Sequence, residues 1–137
     1  MKKNNKGFSL VELIIVIAIM AVLIGVLAPQ YMKHVKNSKI STDVTNAQNI
    51  ATAVNAAIAD GSIDTVTGLT SGTEIAGGAT ITNLAGVTEM PVSKVKSDYK
   101  WVVTWNATDG VTSIKLGTAG STVEIYPSDS AYRTANP

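Results

Sequence analysis

Lys6-Gly7-Phe8-Ser9-Leu10-Val11-Glu12-Leu13 opens an apolar run that continues to Ala28 and meets Pro29. From Phe8 to Tyr31 the chain has 24 residues, about 36 Å if helical, enough to cross a hydrocarbon core of about 30 Å with some tilt. The run is rich in β-branched residues (Val11, Ile14, Ile15, Val16, Ile17), which form helix only moderately well in water. In lipid the backbone must satisfy its own hydrogen bonds, and helix becomes the favoured state. One residue does not fit a plain anchor. Glu12 places a carboxylate inside the span, at a cost on the order of 2–3 kcal/mol.

Charge is distributed unevenly around this segment. Residues 1–40 hold six Lys against one Glu, and residues 41–137 hold four Lys and one Arg against nine acids, which leaves a net charge of +1. A basic stem with an acidic body does not suit nucleic-acid binding. Lys2, Lys3 and Lys6 precede the span, while Lys33, Lys36 and Lys39 follow it, so the positive-inside rule does not orient it. A secretory signal peptide is a second reading, with cleavage after Val26-Leu27-Ala28, but Pro29 would follow the cut directly.

The residues from Lys6 to Leu13 closely resemble the prepilin processing motif of type IV pilins and type II secretion pseudopilins. The resemblance implies that a prepilin peptidase cuts between Gly7 and Phe8 and that Phe8 becomes the N-methylated first residue. Gly7 has no side chain, which suits close approach of an extended scissile bond. Four residues on from the new Phe8 ammonium, Glu12 lies on the same helical face, about 6 Å deeper. The resemblance implies that Glu12 pairs with the Phe8 ammonium of a neighbouring copy as helices bundle. A protonated Glu12 snorkelling to the interface is the alternative. Pro29 falls where many pilins carry a helix-bending proline.

Beyond Pro29 an amphipathic pattern resumes. Ile40, Val44, Ala47, Ala51, Val54 and Ile58 recur at alternating spacings of four and three, with Thr42, Asp43, Asn46, Asn49 and Asn55 on the other side. Gly61 is the expected stop. Lys33, His34, Lys36 and Lys39 form a basic collar, read first as headgroup attraction and second as pairing with acidic residues such as Asp60 or Asp64 of another copy. Residues 61–98, rich in Gly, Thr, Ala and Ser, read as a long connection. From Tyr99 the period becomes two. Tyr99, Trp101, Val103 and Trp105 share a face, Asp109-Gly110 marks a turn, and Val111–Gly117 and Thr122–Tyr126 complete three strands. Trp101 and Trp105 are expected in the core.

The expected fold is α+β and pilin-like: a long N-terminal helix whose second half packs on a three-stranded antiparallel sheet. Its divisions are a leader over 1–7, a transmembrane helix over 8–31, a stem over 32–60, a connection over 61–98, the sheet over 99–127 and a loosely held tail over 128–137. The chain has no Cys and one His, so no disulfide can form and no catalytic or metal constellation stands out. Many pilins close their C-terminal region with a disulfide; its lack here is compatible with a Gram-positive source. Asp98, Asp109, Glu124 and Asp129 are the acids nearest to a calcium pattern, but they read as solvated, and no cofactor or metal is expected. The sequon Asn106-Ala107-Thr108 sits at a turn.

The resemblance implies a non-enzymatic subunit, in the cytoplasmic membrane before assembly and then in an extracellular surface filament used for adhesion or motility. Its implied partners are copies of itself, the prepilin peptidase, an inner-membrane assembly platform and the membrane, with no specific nucleic acid. A pseudopilin of a type II secretion or competence system is the nearest alternative. A membrane-tethered binding module that does not polymerise is an alternative of another class.

Overall fold

The computed structural model describes residues 7–137, and residues 1–6 of the expected leader lie outside that range. Helix α1 runs from Leu10 to Ala59 and includes Pro29. The chain divides into two compact units, one ending at Asn37 and the other spanning Ser38–Pro137.

Among the described residues of the first unit the large apolar side chains are exposed. Leu13, Ile17, Val22, Ile24 and Leu27 are all exposed, and no part of the most apolar stretch is buried. By length and composition the helix is apolar enough to cross a membrane, and exposing such a surface to water is unfavourable.

The second unit is built on the stem. Ile40, Ala47, Ile50, Ala51, Val54 and Ala57 of α1 are buried in one core with the sheet. The buried face is wider than the expected stripe, because Ile50, Ala53 and Ala57 join it while Val44 and Ile58 sit half-buried at its edges. Asp43 and Asn55, expected among the solvated residues, also turn to protein. Asp43 is fully buried, and Asn55 Oδ1 accepts the Val111 N–H at 2.8 Å.

The sheet has four antiparallel strands rather than three, in the order β1 (Glu74–Ala76), β2 (Lys100–Asn106), β3 (Gly110–Thr118) and β4 (Ser121–Tyr126). The additional strand, β1, is a three-residue edge in which Ile75 pairs with Trp101. It is too short to show alternation, so the pairing surface offered by β2 creates it. Trp101, Val103, Ile114 and Leu116 point into the core, in register across β2 and β3. A bulge after Thr104 leaves Trp105 half-buried, where Ser71 Oγ both accepts its N–H and donates to its carbonyl, each at 3.0 Å.

Residues between the stem and β2 do more than connect. A 3-10 turn spans Ile63–Thr65, and Leu69, Ile75, Ile81, Leu84 and Met90 all enter the core. The C-terminal residues, expected as a loose tail, carry helix α2 (Ser130–Ala135), whose Tyr132 is fully buried.

Candidate functional site

The N-terminal segment is organised by its first helical turn. Gly7, Phe8 and Ser9 precede the helix, and Phe8 is 87% exposed. Ser9 Oγ accepts the Val11 N–H at 3.3 Å, and the Ser9 N–H donates to Glu12 Oε2 at 2.8 Å. This is a reciprocal capping box, in which each side chain satisfies a backbone donor that the helix start leaves free. Its sequence signal is Ser9-x-x-Glu12 ahead of an apolar run, a local role for Glu12 beside pairing with Phe8 and snorkelling. The cap has two effects. It ends the helix short of Gly7 and Phe8, and it gives the costly carboxylate a donor within its own chain. Being acceptor-only with room for about four donors, the carboxylate can still receive an ammonium.

Further along, Pro29 has no N–H to offer the carbonyl of Gly25, so one helical hydrogen bond is missing within the span. The helix continues through it. The sequence-derived positions therefore fall into two places: Gly7, Phe8 and Glu12 around the helix start, and Pro29 about five turns away.

The compact unit has a second polar centre, which the sequence did not suggest. Asp43 Oδ2 accepts the Ser93 hydroxyl at 2.6 Å and the Tyr132 hydroxyl at 2.8 Å, and Oδ1 accepts the Lys94 N–H at 2.8 Å. A longer contact of 3.4 Å joins the Val95 N–H to Oδ2. Beside it, the Tyr99 hydroxyl donates to Asn136 Oδ1 at 3.0 Å. One buried carboxylate thus ties stem, connection and C-terminal helix together in a chain with no cysteine. Burial, and then the Asp43 carboxylate that accepts its hydroxyl, push the Tyr132 phenol well above its ordinary range.

The acids closest to a calcium pattern are occupied or dispersed. Asp109 Oδ2 accepts the Asn106 side-chain amide at 3.0 Å, Asp129 pairs with Arg133 at 2.6 Å, and Glu124 faces Lys115 across β3 and β4. Among the described residues no three metal-ligating side chains converge. Asn106 Oδ1 accepts the N–H groups of Thr108 and Asp109, so the sequon forms the turn itself.

Residues 2–28 match the family model described as the prokaryotic N-terminal methylation motif. The chain is 36% identical over 61 residues to a type IV major fimbrial protein FimA of Dichelobacter nodosus, a match that covers 44% of this chain and 39% of that protein. It is 36% identical over 59 residues to a fimbrial protein of Pseudomonas aeruginosa, covering 43% and 38%. With the fimbrial protein EcpB of Eikenella corrodens the identity is 39% over 63 residues, covering 46% and 40%. The chain thus spans about two fifths of the length of the curated relatives it matches. No solved structure matches it. The methylation motif, the fimbrial relatives and the long helix packed on an antiparallel sheet agree, and over about two fifths of its length the chain is similar to type IV fimbrial proteins.

Proposed function

We propose that this chain is a structural subunit of a type IV pilus, made as a membrane-anchored precursor and assembled into a surface filament for adhesion or motility. The observation that carries the reading is the junction of Gly7-Phe8-Ser9-Leu10-Val11-Glu12 with a helix whose apolar surface is exposed among the described residues. A helix of that kind has two natural environments, a bilayer and a bundle of its own copies. The prepilin peptidase acts between Gly7 and Phe8, which lie ahead of the helix start, and Phe8 is N-methylated. The inner-membrane platform then transfers the subunit from lipid to filament.

In this process Glu12 reads the register. While capped by the Ser9 N–H it is tolerable in the membrane, and docking adds the Phe8 ammonium of a neighbour as a charged partner. Pro29 supplies a local weakness where the helix can adjust to its neighbours. The relatives named fimbrial proteins favour a pilus over a secretion pseudopilus.

Mass spectrometry of the native protein tests the first step. It is expected to find a chain beginning at N-methylated Phe8; a start at Met1, or one beyond Ala28, removes the reading. Glu12→Ala is expected to remain in the membrane and to fall out of filaments. Normal filament yield from that variant would exclude the pairing role.

A further inference from the structure

We infer that the basic collar of one subunit docks on the carboxylates at the C-terminal end of a neighbour's stem. The inference rests on the filament reading and names the second surface that such a filament uses. Two uncompensated electrostatic features of the chain carry it.

At the end of α1 the helix dipole leaves negative potential on the last carbonyls, and lysine or arginine in the last turn is the usual complement. Here the last turn has no basic residue. Asp60 follows immediately and Asp64 lies in the next 3-10 turn, both exposed, so negative charge is added where the helix already ends negative. The N–H of Ser62 donates to Asp60 Oδ1 at 2.9 Å, and the Ser62 side chain first, then this N–H, hold the carboxyl below its usual range.

The collar shows the opposite imbalance. Lys33, Lys36 and Lys39 are exposed, and no acid stands between Glu12 and Asp43, whose carboxylate is enclosed by four donors. Among the described residues the single ion pair is Arg133 with Asp129, so none of these lysines has a carboxylate partner.

Within one copy Lys39 cannot neutralise Asp60. Lys39 and Asp60 lie at opposite ends of the stem inside the same compact unit, 21 residues apart and so about 32 Å along the helix. Complementary charge on a single repeating chain, out of reach in cis, is met by a second copy displaced along the helix axis by about 30–40 Å. Before assembly the same lysines face lipid headgroups; on assembly they exchange phosphate for carboxylate.

The absence of cysteine makes a direct test possible. Ser38 and Ala59 are exposed next to the two patches, and 21 helical residues separate them, far beyond the span of about 7 Å that a disulfide allows. Filaments built from the full chain carrying both Ser38→Cys and Ala59→Cys are expected to give a covalent ladder on oxidation. Each single variant is expected to give none. Intact filaments from the double variant without a ladder, or dimers from a single variant, overturn the inference. Failure of the unsubstituted chain to form filaments would instead remove the filament reading.

Charge reversal provides the energetic test. Lys36→Glu with Lys39→Glu, or Asp60→Lys with Asp64→Lys, is expected to lower filament yield about tenfold, and the four together to restore it within about twofold. If the four remain as defective as the collar pair, and the unassembled chain leaves the membrane, the lysines serve headgroups alone and the inference fails.

Discussion

Asp43 is enclosed by four donors and has no cationic partner among the described residues, so its stability depends on those donors. Asp43→Ala strands the hydroxyls of Ser93 and Tyr132 and the N–H of Lys94, at about 3 kcal/mol or more. Thermal unfolding of the solubilised chain is expected to fall by ~10 °C or more, and an unchanged midpoint would show that the network is not needed. Tyr132→Phe removes one of these bonds and is expected to cost about 1–2 kcal/mol. The same phenol gives stability a sign with pH. Its folded pKa is raised above the ordinary value of 10.0, so the unfolded chain releases the proton first. Its contribution is complete below about pH 10 and declines as pH rises above it. Alkaline unfolding is expected to shift to higher pH in Tyr132→Phe relative to that variant's own neutral stability; identical pH profiles would contradict the assignment.

Elements in this chain differ in how far they stand on local signals. The stem has an apolar period and holds the sheet through fully buried Val54, whereas Val44 lies at the rim. Val54→Ala removes about two methylenes from a closed site and is expected to cost about 2 kcal/mol; Val44→Ala is expected to cost less than about 1. Equal losses in a denaturant titration would show the core to be centred elsewhere. The β2–β3 hairpin depends on Gly110, which has a φ of +76°, and a side chain there would run into Asn55 Oδ1. Gly110→Ala is therefore expected to loosen both the turn and the Asn55 tie to Val111, seen as faster amide exchange in β3. Slow exchange retained in β3 would mean that the turn tolerates the strain. By contrast, β1 has no pattern of its own, and a three-residue segment forms there because β2 presents free backbone groups and Trp101 a surface for Ile75.

At the scale of the whole molecule, apolar surface divides the chain into a unit whose described apolar side chains are exposed and a unit with its own core. Removing residues 1–37 is expected to give a soluble monomer that unfolds cooperatively, whereas the full chain is expected to require detergent; gel filtration distinguishes the two. Aggregation of the shortened chain would show that its core is incomplete. What the sequence determined by itself is the part governed by local rules. An unbroken apolar run, a carboxylate at a fixed distance from a glycine–aromatic step, and a change of period from 3.6 to two can each be read without knowing what touches what. On those grounds the helix, the three longer strands and the pilin resemblance were legible. The capping box was legible too, in Ser9-x-x-Glu12 ahead of the apolar run. Tertiary structure alone decided the roles of Asp43 and Asn55, the fourth strand and the seating of Tyr132. Asp43 looks like any solvated acid until Ser93, 50 residues away, and Tyr132, 89 residues away, close around it. The partners that stabilise a buried charge are supplied by the fold, and no spacing along the chain announces them.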